Sequence, residues 1–373
     1  MTTSTLTDNN IPQNKSNRLL FLDGLRGIAI LLVVFFHAYS RDWLEFLPYR
    51  DEYDHVSIIH FGSYGVQLFF IISGFVIAMT LEKCRSFWDF MYRRWLRLFP
   101  AMLVGSLLIL ITAPLFTARP YGTPYLIDLL PGVTFIEPEV YRVIFNNHQK
   151  ILEGSFWTLF VEMKFYILAG LMYFIIGPKK MIAVLVAMFF SYVVFDLVKS
   201  HLPNELSEQL NTIFHYLNYQ HYGWFAAGAL FYQYSVSKKW TYWIGAVLIA
   251  LLAARGLGGF MSKSMIVASI IVFSFALSMF NPVVQKILSN KVLVFVGFIS
   301  YPFYLIHEQA MISMINQIHH AYPNVPGYLL PILPIAGIIF FSWIIARYLE
   351  PATRKLIRNL FSININKLQK KAN

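Results

Sequence analysis

The sequence has few charged residues and a single cysteine, Cys84. Only 13% of its 373 residues are charged and 57% are hydrophobic, whereas about a quarter of the residues in an ordinary soluble domain are charged. The charged and polar residues are too few to cover a soluble core of this size, so the composition excludes a soluble protein and indicates that lipid is its solvent. The lone cysteine excludes an intramolecular disulfide and gives no information about the redox compartment.

The sequence also lacks an internal repeat and a matching pair of helices broken by glycine or proline in two halves. Those two patterns are typical of secondary transporters, so their absence argues against a transporter. No small-residue cleavage site follows the first apolar segment, which therefore predicts a retained helix instead of a signal peptide.

Long hydrophobic runs recur along the chain, each near the roughly 20 residues that cross a bilayer. They predict an all-α, polytopic membrane helical bundle of about ten transmembrane helices. The predicted spans are 19–40, 61–82, 98–118, 156–177, 181–199, 213–235, 241–256, 264–281, 292–312 and 329–350.

The formal charge of +11 is distributed as a topology signal. Most basic residues fall in alternate loops, and the positive-inside rule then predicts that both termini are cytoplasmic. Nucleic-acid binding is not indicated, because the basic residues form no single patch. We expect residues 1–17 to be a disordered cytoplasmic tail, 18–350 to be the membrane domain, and 351–373 to be a basic cytoplasmic tail.

Polar residues within the first span form one stripe. Asp23 lies one turn below Arg26, and the 11-residue step from Arg26 to His37 returns to within about 20° of the same helical face. Ionisable groups in lipid are costly unless they face a cavity or a partner, so the stripe is predicted to line a passage. A histidine that only bonds a backbone carbonyl in the packed interior is the alternative interpretation.

Arginines recur at helical spacing in the segment MYRRWLRLFP. Arg94 and Arg97 share a helical face next to Arg93, and guanidinium groups bind phosphate oxygens bidentately. The pair is therefore a candidate seat for an anionic nucleotide. Plain anchoring by a basic cytoplasmic loop is the competing interpretation.

Two later segments carry further candidates. Glu162 lies in GSFWTLFVEMKFYI, where its carboxylate could orient an imidazole or a hydroxyl, or fix helix packing through an ion pair. His307 lies in FISYPFYLIHEQA and shares a predicted face with Ser300 and Tyr304. No cysteine or acidic residue joins any histidine pair at a familiar ligand spacing, so we predict no metal.

The ordered set of motifs resembles the membrane-bound acyltransferase-3 family from about residue 18 to 350. The motifs are, in chain order, DGLRG with a downstream His, LFFIISGF, RRWLRLFP, FWTLFVEMKFY and FISYPFYLIH. The family's Arg, ten residues, then His falls on Arg26 and His37, and its paired arginines fall on Arg94 and Arg97. Its Trp-Leu-Glu-Phe-Tyr pattern includes Glu162, although Met163 and Lys164 depart from the acidic or amide residue that often follows.

The resemblance implies an acyl-CoA donor, most simply acetyl-CoA, and an extracytoplasmic carbohydrate acceptor such as O-antigen or exopolysaccharide, in a bacterial inner membrane. We expect the donor's phosphates on Arg94, Arg97 and Arg26, near Asp23. We expect His37 to act as base or acyl carrier, oriented by Glu162 or His307. Larger members carry an appended periplasmic domain, which we expect this chain to lack. A multi-span exporter of a lipid-linked sugar is the rival, and oligomeric state is left open.

Overall fold

The computed structural model describes residues 19–360 apart from 40–42, 146–149, 258, 260 and 261. The predicted tail 1–17 and the end of the predicted tail 351–373 lie outside these residues. No strand occurs in the described part of the chain, in agreement with the predicted all-α class. Its α-helices are α1 Leu20–Tyr39, α2 Ser57–His60, α3 Gly65–Leu81, α4 Phe87–Thr112, α5 Leu129–Thr134, α6 Pro138–Phe145, α7 Trp157–Ile176, α8 Pro178–Val198, α9 Asn204–Tyr216, α10 Tyr222–Ser237, α11 Trp240–Arg255, α12 Lys263–Ser278, α13 Pro282–Leu288, α14 Lys291–Ile306, α15 Glu308–Ala321 and α16 Ile332–Ile344.

Six helical segments of the described chain are long and apolar enough to cross a membrane, and eight are if each of two bent helix pairs counts as one span. This confirms a polytopic helical membrane protein. Each predicted span overlaps at least one of these helices, but α10 and α11 have only 16 residues each. The predicted number of about ten spans therefore remains a prediction.

The predicted spans differ from the structure in several places. The predicted span 213–235 is interrupted between α9, which ends at Tyr216, and α10, which begins at Tyr222. α4 begins at Phe87, eleven residues before the predicted span, because Ser86 caps its first turn by accepting a hydrogen bond from the backbone N–H of Asp89. The predicted span 292–312 is interrupted between α14 and α15, which meet at an angle of 78°. The last helical stretch continues past Pro351 to Leu360 and includes a π-helical segment, Ile345–Leu349.

Close helix contacts at glycine positions hold the centre of the bundle together. A Cβ atom added to Gly297 of α14 would lie 1.8 Å from the carbonyl oxygen of Asp23 in α1. A Cβ on Gly228 of α10 would lie 2.0 Å from the carbonyl oxygen of Ile71 in α3. Because membrane helices associate through close packing instead of a hydrophobic driving force, these glycines set how near α1 lies to α14 and α3 to α10.

Candidate functional site

A cavity of about 120 Å³ lies between α1, α3, α4, α7 and α14, and is called here the basic cavity. Three guanidinium groups line it, those of Arg26, Arg94 and Arg97, together with the carboxylate of Glu162. The structure thus brings together residues from three separate helices that the sequence had singled out. Asp23 does not line this cavity, but its carboxylate accepts a hydrogen bond of 3.3 Å from Arg26 Nη1.

Two of the three arginines of α4 line the basic cavity and are held in place by neutral and acidic partners. Arg94 Nη2 donates to Thr80 Oγ1 at 3.0 Å, and its guanidinium lies 5.8 Å from the centre of the Tyr166 ring. Arg97 Nη1 donates to Glu350 Oε1 at 3.1 Å, and its side chain is 44% exposed. Both guanidiniums keep further N–H groups for an anion, and the exposure of Arg97 places it at the mouth of the cavity.

Glu162 forms hydrogen bonds inside the basic cavity. Its Oε1 atom accepts from Ser73 Oγ at 2.5 Å and from Tyr166 Oη at 2.6 Å. The sequence predicted that either Glu162 or His307 orients His37. Glu162 instead forms its hydrogen bonds within the basic cavity. Its carboxylate offsets part of the positive charge of the arginines and fixes the wall that α3 and α7 form together.

A second, larger cavity of about 520 Å³ is lined by His37 near the end of α1 and is called here the histidine cavity. Aromatic side chains from α1, from the loops and from the start of α7 form much of its wall. A carboxylate from the start of α15 also reaches it. Its lining residues include Phe36, His37, Trp43, Tyr64, Gln67, Tyr121, Trp157, Tyr304 and Glu308.

His37 contacts His307 directly. His307 Nε2 lies 3.0 Å from His37 Nδ1, and His307 Nδ1 lies 2.9 Å from the carbonyl oxygen of Tyr304. A carbonyl oxygen only accepts, so His307 Nδ1 carries the proton and the Nε2 atom of the neutral ring accepts. His37 Nδ1 is then the donor of the pair, which leaves a lone pair on His37 Nε2. The pair therefore prepares His37 to act as a base.

The bend between α14 and α15 positions His307, which is fully buried. The bend is held by the segment that leads into α7. Glu153 Oε2 accepts from the backbone N–H of Gln309 at 2.8 Å, and the backbone N–H of Ser155 donates to Glu308 Oε2 at 2.6 Å. Carboxylates near the first turn of α15 also interact favourably with the positive end of that helix.

The loop between α4 and α7 packs onto this bend. Arg119 Nη2 donates to the carbonyl oxygen of Leu152 at 3.0 Å, and the backbone N–H of Tyr121 donates to Gln309 Oε1 at 3.0 Å. Burial raises the pKa of Glu153 well above its usual range, and the nearby charge of Arg119 partly offsets this rise. The long loop of the sequence thus forms part of the site's framework.

Two side chains, Val66 and Tyr304, line both cavities. The Tyr304 hydroxyl donates to the carbonyl oxygen of Ser155 at 2.9 Å and lies 2.8 Å from Thr158 Oγ1. These bonds hold the ring between the basic cavity and the histidine cavity. The partition between the two cavities is therefore only one layer of side chains thick.

Several residues of the site and its framework were not singled out from the sequence. Ser73, Trp43 and Glu153 belong to segments that read as ordinary apolar or loop sequence, and Gln67 is a single amide within an apolar span. A polar residue in lipid is a signal in itself, and this signal could have identified Ser73 and Gln67. No local pattern indicates Trp43 or Glu153, because their partners lie more than 150 residues away along the chain.

No group of three His, Cys, Asp or Glu side chains within the described ranges is placed to hold a metal ion. His215 and His221 line one further cavity together with Glu137 and Glu139, but among the described residues these side chains do not form a group placed to hold a metal ion.

The family model of the acyltransferase domain, Acyl_transf_3, matches residues 19–347, which is most of the chain. The chain therefore belongs to the acyltransferase-3 family, as its ordered motifs predicted.

Curated relatives match a smaller part of the chain. Nodulation protein 10 of Rhizobium leguminosarum bv. viciae is 30% identical over 157 residues, which are 39% of this chain and 41% of that protein. The O-acetyl transferase of Shigella phage Sf6 is 26% identical over 152 residues, 40% of this chain and 44% of that protein.

A protein of Staphylococcus aureus (strain COL), provisionally named an O-acetyltransferase, is 28% identical over 159 residues, 39% of this chain. The match covers only 23% of that protein, so the chain spans less than half the length of each of these three relatives. No solved structure matches the chain significantly.

Proposed function

We propose that this protein transfers an acyl group, most simply acetyl, from a cytoplasmic coenzyme A thioester to a hydroxyl of an extracytoplasmic carbohydrate. One observation carries the proposal: a cavity with three arginines and a cavity with a prepared histidine base meet at Val66 and Tyr304. Two relatives with O-acetyl transfer in their names support acetyl as the group transferred.

The donor enters through the basic cavity in this proposal. A cavity of about 120 Å³ holds only the acyl end of the donor and part of its pantetheine arm. The nucleotide phosphates then lie at the mouth, where Arg94 and Arg97 present N–H groups to them. The polyanionic head of the donor does not have to cross the membrane.

The chemical step takes place where the two cavities meet. His37 Nε2 removes the proton from the acceptor hydroxyl as its oxygen attacks the thioester carbonyl carbon. The carbonyl π electrons move onto oxygen, a new C–O bond forms, and the collapse of this intermediate breaks the C–S bond. His37 returns its proton to the coenzyme A sulfur. His307 holds His37 in the reactive tautomer throughout.

The acceptor occupies the histidine cavity. Its wall combines the aromatic rings of Trp43, Tyr121 and Trp157 with the carboxylate of Glu308. Glu308 already accepts from Trp43 Nε1 at 3.2 Å and from Ser155, and it keeps lone pairs for a sugar hydroxyl. A cavity with mixed apolar faces and a few fixed polar groups suits a carbohydrate. We place the protein in the bacterial inner membrane, with this cavity opening to the far side.

The test is transfer of labelled acetyl from acetyl-CoA into the surface polysaccharide of membranes from the producing cell. Wild type, His37→Ala and His201→Ala are compared at matched membrane levels. His201 is an exposed histidine in a turn after α8 and serves as the control. We expect wild type and His201→Ala to label the glycan and His37→Ala to fail.

The result that overturns the proposal is unchanged labelling when the protein is deleted. If deletion instead reduces export of the unmodified sugar, the protein is an exporter and not a transferase.

A further inference from the structure

Gln67 is a buried amide without a partner in the histidine cavity. Its side chain is 8% exposed and lines the same cavity as His37. Its Oε1 atom is buried and has no hydrogen-bond partner among the described residues. No hydrogen bond with the described residues fixes this amide, so its oxygen and its NH2 group can exchange places by rotation of the amide plane.

The other buried polar side chains of this cavity already have partners. Ser155 Oγ donates to the carbonyl oxygen of Tyr304, and the Tyr304 hydroxyl donates to the carbonyl oxygen of Ser155. Glu308 accepts from the backbone N–H of Ser155 and from Trp43 Nε1. Gln67 is therefore the buried side chain in this wall whose N–H groups are available to a ligand.

The position of Gln67 along the transfer path is also defined. Its neighbour Val66 lines both cavities, so Gln67 lies at the level where the basic cavity meets the histidine cavity. In the proposed reaction the thioester carbonyl must reach this level, because its carbon has to meet the hydroxyl that His37 activates.

We infer that the Gln67 amide donates a hydrogen bond to the thioester carbonyl oxygen and stabilises the oxyanion of the tetrahedral intermediate. This inference rests on the proposed acyl transfer. Preorganised donors of this kind act where charge develops, and removing one typically lowers kcat by about 10²- to 10³-fold.

The experiment measures kcat and both KM values for acetyl transfer by Gln67→Leu and Gln67→Asn. The matched control is Gln285→Leu, since Gln285 is a partly buried amide of α13 that donates to the carbonyl oxygen of Ser278 and lines neither cavity. We expect Gln67→Leu to lower kcat about 10²-fold with little change in either KM, and Gln285→Leu to retain activity. We expect Gln67→Asn to keep part of kcat.

A raised KM for the acceptor with unchanged kcat would show that Gln67 binds the acceptor instead, and would overturn the inference. Unchanged kinetics would overturn it as well. Absence of acetyl transfer by wild type would overturn the proposed function itself. Failure of the Gln67 inference and failure of the proposed function are therefore distinguishable.

A second inference rests on a different observation, a cavity of about 730 Å³ under the loop between α4 and α7, called here the loop groove. Tyr121 and Trp157 line both this groove and the histidine cavity, so the two spaces are adjacent. Gln220 also lines the groove, and its Oε1 atom is buried without a partner among the described residues.

We propose that the loop groove binds the sugar units next to the one that is acylated, so that the acceptor is an extended glycan. This also rests on the proposed function. The groove is larger than the histidine cavity, and its wall offers the Trp157 ring, the Gln220 amide and the charged groups of Glu139 and Lys150. These are the apolar faces and hydrogen-bonding groups that successive sugar rings require.

The test compares the intact surface polysaccharide with single-sugar fragments prepared from it, using Gln220→Trp to fill the groove. We expect KM for the polysaccharide to rise about tenfold or more and kinetics with the fragment to stay the same. Glu208→Trp, at an exposed position of α9, is the control. Equal effects on both acceptors, or no effect on either, would overturn the extended-acceptor inference and leave the transfer reaction in place.

Discussion

The basic cavity and the histidine cavity share Val66 and Tyr304 but differ in chemistry. The first is lined by three guanidinium groups and one carboxylate, and the second by the His37 imidazole, aromatic rings and one carboxylate. Charged groups bind and orient an anionic substrate, whereas a neutral imidazole can move a proton. In the proposed reaction, the donor therefore binds in the basic cavity and the new bond forms at the entrance to the histidine cavity.

The largest effect is expected at the imidazole that faces the acceptor. His37→Ala removes the proposed base and should lower acetyl transfer at least about 10³-fold, while acetyl-CoA binding stays within about twofold. Transfer is measured by label in the polysaccharide, and binding by displacement of labelled coenzyme A from detergent-solubilised protein. Near-normal transfer would remove His37 from the mechanism.

A larger side chain at Val66 fills the junction between the two cavities and leaves their polar side chains unchanged. Val66→Trp places a large ring where the two cavities meet and should lower transfer about 10²-fold or more, because near-attack geometry is lost. Coenzyme A binding should change little. Ile270→Trp, at an exposed position of α12, is the control for a large ring on a membrane helix. Unimpaired transfer by Val66→Trp would show that the donor does not pass this point.

His307 tests whether orientation of the base matters. His307→Ala leaves His37 Nδ1 without its acceptor and should lower kcat about 10²-fold with KM for acetyl-CoA unchanged. His307→Gln keeps a carbonyl acceptor and should recover part of the loss. The acid limb of the profile of kcat against pH should also move, which a purely structural role would not produce. An unmoved profile would contradict the positioning role.

Arg97 tests the basic cavity by itself. Arg97→Gln should raise KM for acetyl-CoA about tenfold, and Arg97→Lys should raise it less, because lysine keeps the charge but loses the guanidinium fork. Acetyl-pantetheine, which lacks the nucleotide, should be used equally well by wild type and Arg97→Gln. If the variant loses activity with both donors alike, Arg97 does not bind phosphate.

The smallest effect is expected at Glu153. Its side chain joins the loop between α4 and α7 to the bend between α14 and α15. Its pKa is raised by burial, so the folded protein binds this proton more tightly than the unfolded chain, and stability falls as pH rises above the usual carboxyl pKa. The melting temperature of Glu153→Gln should therefore fall less than that of wild type when the pH is raised from about 5 to about 8. Glu153→Ala loses the acceptor for the Gln309 N–H and should be less stable than wild type at both pH values. Identical pH dependence in wild type and Glu153→Gln would contradict this account.

The sequence predicted Arg26, Arg94 and Arg97 as one set, and His37 and His307 as candidate histidines. These predictions follow from local periodicity and from the cost of ionisable groups in lipid. The stripe on α1 reaches both cavities, with Arg26 in one and His37 in the other. The partner of His37 could not be predicted, because His307 lies 270 residues away and the choice between Glu162 and His307 depends on helix packing. The break between α14 and α15 was missed for a similar reason, since the groups that hold it come from the segment before α7.

Composition and periodicity alone determined the class of molecule, because a chain with 13% charged residues and long apolar runs must place helices in lipid. Local motifs also indicated which side chains are candidates for the chemistry. Only the tertiary structure decided which of them meet, that two cavities share one partition, and that Gln67 lacks a partner there. The physical reason is that these contacts join helices far apart in sequence, and close packing at glycine positions such as Gly297 sets their distances.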